Sequence, residues 1–275
     1  MSQSHIMPGF RPALAFTLFY LGLVVLIPLS TLVFKSLQLG WDDYLNIITN
    51  ERVLAAFRVS FTTSLLAAAI AGIFGFVIAW VMVRYPFTGK RILDALIDLP
   101  FALPTAVAGV VLATIYQPTG LFGKWLIDSF GVKVAYTPLG IVVALIFIGI
   151  PFVVRTIEPV LQEFDNTMEE AASSLGATRG QVFRKIIFPN IFPALITGVS
   201  LAFARGVGEY GSVIFIAGNL PYISEIVPLL IVTKLEQYQY AGATAIALTM
   251  LVISFILLLV INLLQRWVRV RSGQI

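Results

Sequence analysis

The stretch EAASSLGATRGQVFRKIIFP, residues 170 to 189, determines how the rest of this chain is interpreted. Thr167 with Glu170, and Thr178 with Gln181, each match the capping-box pattern, in which a Ser or Thr and a Glu or Gln three residues later satisfy backbone N–H groups at a helix start. The segment lies between two long apolar stretches. Two capping boxes in one polar segment predict two short helices.

Each of these helices carries an apolar stripe. Gly176 stands where a left-handed residue would end the first helix, and Pro189 is expected to end the second, because proline has no backbone N–H. The stripes are Met168, Ala171, Ala172 and Leu175 in the first helix, and Val182, Phe183, Ile186 and Ile187 in the second. Both stripes are predicted to contact something outside the segment. On helix physics alone, the plain alternative is a helical hairpin lying on the membrane surface.

The same residues resemble the EAA loop of importer-type ABC permeases, whose pattern is EAA-x3-G-x9-I-x-L-P. One position departs from the pattern, since Phe188 stands where the family usually has Leu. The resemblance implies that this segment is a coupling helix that docks in a groove of an ATP-hydrolysing subunit. The residues that carry it, and for which it implies ATPase coupling, are Glu170, Ala171, Ala172, Gly176, Ile186 and Pro189.

The composition is that of a membrane protein. The chain is 59% hydrophobic and 12% charged, with a mean hydropathy of +0.94, far from ordinary soluble domains. Six stretches are long enough for spanning helices of roughly 20 residues. Five of them are uncharged, at 12–34, 59–83, 99–123, 134–154 and 237–265. The other is apolar, runs from Pro193 to Gly218 and is interrupted by two charges. Because an open sheet edge cannot be satisfied in lipid, these stretches predict an all-α polytopic protein with six transmembrane helices. The first stretch is too long for a signal-peptide core and is interpreted as a retained helix.

The distribution of Lys and Arg predicts the orientation. One face collects eleven of these residues and the other six, and the richer face is expected to be cytoplasmic. This assignment puts both termini and the 155–192 loop, which contains the EAA segment, in the cytoplasm. It also accounts for the net charge of +4 through topology and contact with lipid, with no basic run that indicates nucleic-acid binding.

Several kinds of chemistry are excluded by the residue inventory. The chain has no Cys and a single histidine, His5, in its N-terminal tail, so neither a His- or Cys-based catalytic group nor a thiolate or histidine metal cluster can be assembled. It contains no GxxxxGK[ST] loop for holding ATP. The sequence therefore predicts no enzyme activity and no cofactor in this chain, with ATP and Mg held by a partner ATPase.

The segment DLPFALPTAVAG, residues 98 to 109, opens the third apolar stretch with two prolines. Pro100 and Pro104 remove two backbone donors, which is tolerated in lipid only where protein or water satisfies the freed carbonyls. Two interpretations stay open, a packed kink and a bend that lines a translocation pathway together with Thr105.

The fifth stretch carries the second notable feature, Arg205 and Glu209, which are one helical turn apart and can neutralise each other. Counted from Pro193 at about 1.5 Å per residue, Arg205 falls in the outer half of the bilayer. An intramembrane charge is expected to face protein or water. One interpretation is a structural bridge, and the other makes Arg205 a transient electropositive step for an anion in the translocation pathway.

The resemblance extends beyond the EAA segment. The stretches DLPFALPTAVAG at 98–109, PFVVRTIEPVL at 151–161, EEAASSLGATR at 169–179 and GEYGSVIFIAGN at 208–219 are similar to the T-type permease subunits of sulfate/thiosulfate ABC transporters. The resemblance covers essentially all 275 residues and implies a single permease domain of the importer-type (MetI-like) fold, multi-pass in a bacterial inner membrane or a plastid membrane.

The partners implied by this resemblance are a homologous W-type permease subunit or a second copy of the chain, two ABC ATPase subunits and a periplasmic sulfate-binding protein. Two alternatives remain at this point. One is a molybdate or tungstate permease of the same class, and the other is an ATP-independent anion channel or secondary transporter in which the EAA segment is only a surface hairpin.

Overall fold

The computed structural model describes residues 10–271, which form helices and connecting turns with no β-strand in that range, and His5 lies outside it. The helices are α1 (Phe10–Leu21), α2 (Ile27–Leu37), α3 (Trp41–Ile48), α4 (Glu51–Arg84), α5 (Lys90–Ala102), α6 (Thr105–Tyr116), α7 (Leu121–Phe130), α8 (Pro138–Gln162), α9 (Asn166–Ser174), α10 (Arg179–Val182), α11 (Phe188–Val207), α12 (Gly211–Ile216), α13 (Val227–Glu236) and α14 (Tyr240–Arg271). π-helical turns at Gly22–Leu26 and Phe183–Ile187 join α1 to α2 and α10 to α11. The predicted all-α class is confirmed.

The centre of the bundle is built by α4, α8 and α11, which pack along one another. Small residues allow this close approach. A Cβ on Gly75 of α4 would lie 2.7 Å from the Val153 side chain of α8, and one on Gly198 of α11 would lie 2.8 Å from the Val153 backbone. Glycine is therefore the residue that fits at both contacts.

Within the described residues, five helices are long and apolar enough to span a membrane, namely Pro12–Leu37, Glu51–Arg84, Pro138–Gln162, Arg179–Val207 and Tyr240–Leu263. The third predicted span, 99–123, is not one straight helix, because α5 and α6 are bent by 113° across a short break. Leu103 has an extended backbone at this break, as a residue before proline is expected to have. Pro104 thus stands at a sharp corner, and the bend that both interpretations of this segment require is present.

The fifth span begins earlier than its predicted start at Pro193. Helix continues from Arg179 through the π-turn to Val207, so the prediction that Pro189 ends a helix is wrong. The backbone N–H of Phe188 donates to the carbonyl of Phe183, five residues back, and Pro189 then occupies the first turn of α11, where no donor is needed. The wide turn accommodates the proline without a break.

The connection between the fourth and fifth spanning helices is shorter than the predicted 155–192 loop. Since α8 extends to Gln162 and α10 starts at Arg179, the connection covers 163–178 and contains α9. Arg155 belongs to α8, where its guanidinium bonds Asp94 at 2.8 Å and Asp98 at 2.6 Å. These ion pairs attach α5 to α8 beside the connection.

Candidate functional site

The first helix of the EAA segment is capped by a residue that the sequence reasoning missed. The carboxylate of Asp165 accepts the backbone N–H of Thr167 at 2.9 Å and is the N-cap of α9. Hydrogen bonding by Thr167 holds the pKa of the Asp165 carboxyl below its usual value. The predicted Thr167–Glu170 capping box is therefore wrong. Asp is itself a favoured N-cap residue, so Asp165 is the residue in the sequence that could have indicated this cap.

The C-terminus of α9 is closed as predicted by Gly176. This residue has a φ of +82°, and its N–H bonds the Ser173 carbonyl at 3.0 Å while the N–H of Ala177 bonds the Ala172 carbonyl at 3.0 Å. These two bonds make a complete Schellman motif. Glycine is favoured here because a side chain on a left-handed residue is strained.

The outward surface of α9 is apolar and exposed. Met168 is 53% exposed and Leu175 is 89% exposed, and Glu170 and Ala171 are exposed beside them. Ala172 alone in this stripe is half-buried against the bundle. Because Asp165 already caps the helix, the Glu170 carboxylate is left at the surface next to an unpartnered apolar face.

The second apolar stripe packs inward on the bundle, which lies outside the segment as predicted, so this stripe is not available to dock in an ATPase groove. Val182 and Ile187 are buried, and Phe183 and Ile186 pack against the same core cluster. The Thr178–Gln181 capping box that starts this helix is confirmed, with both reciprocal hydrogen bonds present. Pro189 is exposed, whereas Ile186 is half-buried and packs against this core cluster.

At the far end of α11 lies the predicted pair of Arg205 and Glu209. The two side chains form an ion pair at 2.5 Å, with Glu209 only 2% exposed and Arg205 37% exposed. The other Glu209 oxygen accepts the backbone N–H of Ser212 at 3.0 Å and its hydroxyl at 3.2 Å. Glu209 thus stands between two helices, since α11 ends at Val207 and α12 begins at Gly211.

The proline corner lies beside this second break. Pro104 is the N-cap of α6, which has no side-chain hydrogen bond at its start. Thr105 packs so closely on Gly211 that no Cβ would fit there, and Gly109 packs in the same way on the backbone of Ser212. The structure therefore brings Pro104 and Thr105 next to the break that contains Glu209.

Pro100 lies inside α5, before the corner, and is half-buried. The helix that contains it, α5, is fixed to α8 by Arg155 through Asp94 and Asp98. Sequence reasoning missed this cluster because its partners are 57 and 61 residues apart. No local spacing signals such a contact.

A further ion pair fixes the opposite end of the bundle. Arg52, at the start of α4, donates two hydrogen bonds to Glu225, of 2.7 and 2.6 Å. The Glu225 side chain is 1% exposed, and the neighbouring Val227 N–H donates to the Ser60 hydroxyl at 2.8 Å. The segment that follows α12 is therefore attached to α4 by these hydrogen bonds.

Comparisons with known proteins agree with this architecture. Residues 71–271 match the family described as binding-protein-dependent transport system inner membrane component. The chain is 47% identical over 265 residues to the sulfate transport system permease protein CysT of Escherichia coli, covering 96% of this chain and 95% of that protein. It is 49% identical over 253 residues to CysT of Synechocystis sp., covering 92% and 88%.

Solved structures show the same fold at low sequence identity. A chain of a bacterial ABC transporter involved in the import of the acidic polysaccharide alginate superposes with a TM-score of 0.78 at 16% identity, covering 93% of this chain and 94% of that chain. A chain of a bacterial alginate ABC transporter in complex with its alginate pentasaccharide-bound periplasmic protein superposes with a TM-score of 0.77 at 18% identity, covering 94% of both chains.

Proposed function

This chain belongs to the family of binding-protein-dependent transport system inner membrane components, and from that premise we propose that it is the membrane-spanning permease subunit of an ABC importer for sulfate and thiosulfate. The observation that carries the proposal is the capped helix α9, which presents an exposed apolar face at one end of a helical bundle whose relatives in bacteria are sulfate permeases.

Docking of α9 to an ATPase subunit is the first part of the mechanism. Met168 and Leu175 supply apolar area that water contacts in the isolated chain, and removing such area from water favours association. Glu170 and Ala171 lie beside them, and Gly176 fixes the angle at which the chain leaves the helix. ATP and Mg are held by the partner, and closure of two ATPase subunits around ATP moves α9.

The translocation pathway passes the paired helix breaks. The start of α6 at Thr105 has no side-chain cap, and the free N–H groups at a helix start favour anions. Arg205 is the half-exposed cation at the neighbouring break. One guanidinium that is balanced by Glu209 attracts a dianion without trapping it, which suits conduction. Pro104 stands at the corner that brings this helix start to the pathway, and Pro100 lies in α5 just before it.

The partners follow from the two ends of the bundle. At the end opposite α9, a cavity of about 530 Å³ is lined by polar side chains that include Asn46, Asn50 and Lys234. A periplasmic sulfate-binding protein delivers its cargo at that end. A homologous permease subunit completes the pathway. The first spanning helix contacts the rest of this chain mainly where its α2 part packs on α14. Most of its surface is uncovered and available to that subunit.

The orientation follows the positive-inside rule. Arg84 and Glu169 are in contact at one end of α4, while Arg52 and Glu225 are in contact at the other, so each pair must share a side of the membrane. The face assigned to Arg84 holds eleven Lys and Arg residues, Arg84 included, and the other face holds six. That end, with both termini, faces the cytoplasm of a bacterial cell.

Uptake of labelled sulfate in cells that lack this chain, with and without a plasmid that restores it, tests the proposal. We expect uptake to depend on the plasmid and to be inhibited by excess unlabelled thiosulfate more strongly than by molybdate. Restored molybdate uptake without sulfate uptake would assign the other oxyanion, and no restored uptake of either would contradict the assignment.

A further inference from the structure

The end of α4 nearest α9 carries a stripe of three residues that contacts two segments, called here the two flanks of α9. The first flank runs from Phe164 to Glu169, and the second from Phe183 to Phe188. Phe76, Trp80 and Arg84 are spaced at i, i+4 and i+8, so they lie on one face of the helix. We refer to these three residues as the α4 stripe.

The first flank is held by Arg84. Its guanidinium bonds the Glu169 carboxylate at 2.5 Å, and the two side chains are only 20% and 25% exposed. The guanidinium also lies 5.2 Å from the Trp80 ring and 5.8 Å from the Phe164 ring, within the range of cation–π attraction. Glu169 lies in the first turn of α9, so Arg84 ties the start of α9 to α4.

The second flank is held by aromatic contacts. The ring of Phe183, in the π-turn, meets the Trp80 ring edge-on at 5.5 Å and the Phe76 ring at 6.3 Å. Phe188, which stands where the EAA pattern has Leu, contacts the Phe76 ring at 6.4 Å. π-turns occur frequently at functional sites, and this one lies near the start of the spanning helix, directly after the second capping box.

We propose that the α4 stripe transmits the movement of α9 into the transmembrane bundle, with Arg84 as the positioning residue that links the two. This inference rests on the proposed function of α9 as the ATPase-docking helix. Both flanks converge on one helix, and α4 packs on α8 and α11 through the glycine contacts at Gly72 and Gly75. With 34 residues, α4 is roughly 50 Å long, so a displacement at Arg84 reaches the end that carries Arg52.

The test uses the complete complex, with this chain, its partner permease, the ATPase and the binding protein, in proteoliposomes. The variants are Arg84→Gln, Glu169→Gln and the charge exchange Arg84→Glu/Glu169→Arg. The control is Arg91→Gln, at an exposed arginine of α5. The readout is sulfate transported per ATP hydrolysed, together with the amount of ATPase subunit that copurifies. A residue that served only for folding would change copurification and leave that ratio as it was.

We expect each single variant to lower the ratio about tenfold, within the usual range of coupling between sites, while the ATPase still copurifies. The charge exchange is expected to recover most of the ratio, and Arg91→Gln to keep it. An unchanged ratio in both single variants would overturn the inference and leave the proposed function standing. Absence of ATP-dependent uptake by the unaltered complex would overturn the proposed function and, with it, this inference.

A second variant covers the case in which Arg84→Gln does not assemble. The chain contains no Cys, so Arg84→Cys/Glu169→Cys can be joined by a short, reducible bis-methanethiosulfonate reagent without background labelling of this subunit. The cross-linked complex is expected to transport sulfate, and the same preparation is expected to lose transport after reduction. Equal transport before and after reduction would overturn the inference.

Discussion

Glu209 accepts hydrogen bonds on both of its carboxylate oxygens, one from Arg205 at the end of α11 and the other from Ser212 at the start of α12. Glu209 therefore joins α11 to α12 across the break and also neutralises the charge of Arg205. The proline corner before Thr105 packs against the same break. Half-helices that meet near the middle of a transport protein are a recurrent way to present backbone groups to a charged substrate.

Replacement of Arg205 separates the two roles of this pair. Removing one partner of a buried ion pair costs about 3–5 kcal/mol, and the 37% exposure of Arg205 places Arg205→Gln below that range because solvent screens the pair. We expect the thermal midpoint of the purified complex to fall in Arg205→Gln and to recover in Arg205→Gln/Glu209→Gln. Sulfate uptake is expected to remain low in both variants. Full uptake by the double variant would make the pair a structural bridge and nothing more.

Gly176 tests whether the geometry of α9 is needed for coupling. A side chain on this left-handed residue costs about 1–2 kcal/mol, so Gly176→Ala is expected to distort the end of α9. Sulfate uptake per ATP hydrolysed should fall, with membrane insertion intact. Gly180→Ala is the matched control, because that position also has open space but no positive φ. Similar behaviour of the two variants would contradict the role of Gly176.

The Asp165 cap gives a prediction about the order of the connection. Asp165→Ala removes the acceptor for the Thr167 N–H, whereas Asp165→Asn keeps one. The first variant is expected to be cleaved faster by a protease within 163–178, and the second to resemble the unaltered chain. Because the pKa of Asp165 is lowered in the folded protein, the contribution of this cap should persist above the ordinary Asp pKa and be lost as the pH falls through the folded pKa. Equal cleavage of both variants would contradict the capping role.

The contact of Gly75 with Val153 predicts a compensating pair. Gly75→Ala places a methyl group 2.7 Å from the Val153 side chain, and overpacking of this kind costs typically about 1–3 kcal/mol. The loss should appear as a lower thermal midpoint, and Gly75→Ala/Val153→Ala should recover part of it. Gly22→Ala is the control, since a Cβ there meets nothing within 4 Å. A second substitution that lowers the midpoint further would contradict the packing described.

Features that depend on neighbouring residues could be predicted from the sequence. The left-handed Gly176, the Thr178–Gln181 capping box and the Arg205–Glu209 pair all involve residues at most four positions apart, and the structure has each of them. Hydropathy likewise predicted six spans, and residues 10–271 contain five helices long enough to span together with one bent pair, α5 and α6, that accounts for the sixth.

Features that depend on tertiary contact could not be predicted. The inward packing of Ile187 and the bonds of Arg155 to Asp94 and Asp98 are set by how the helices meet. The passage of helix through Pro189 depends on a π-turn, which propensity does not signal. The cap of α9 was predicted at Thr167 and is Asp165. Two favoured N-cap residues stand close together here, and pattern alone does not choose between them.

ATP-dependent sulfate uptake into proteoliposomes is the measurement that tests the central claim most directly. The vesicles contain this chain with its partner permease and ATPase, the binding protein is supplied at the end of the bundle that carries Arg52, and ATP at the end that carries α9. The account predicts uptake of labelled sulfate only when both the binding protein and ATP are present. Uptake at the same rate without ATP would contradict it and would make the chain part of a channel or a secondary transporter.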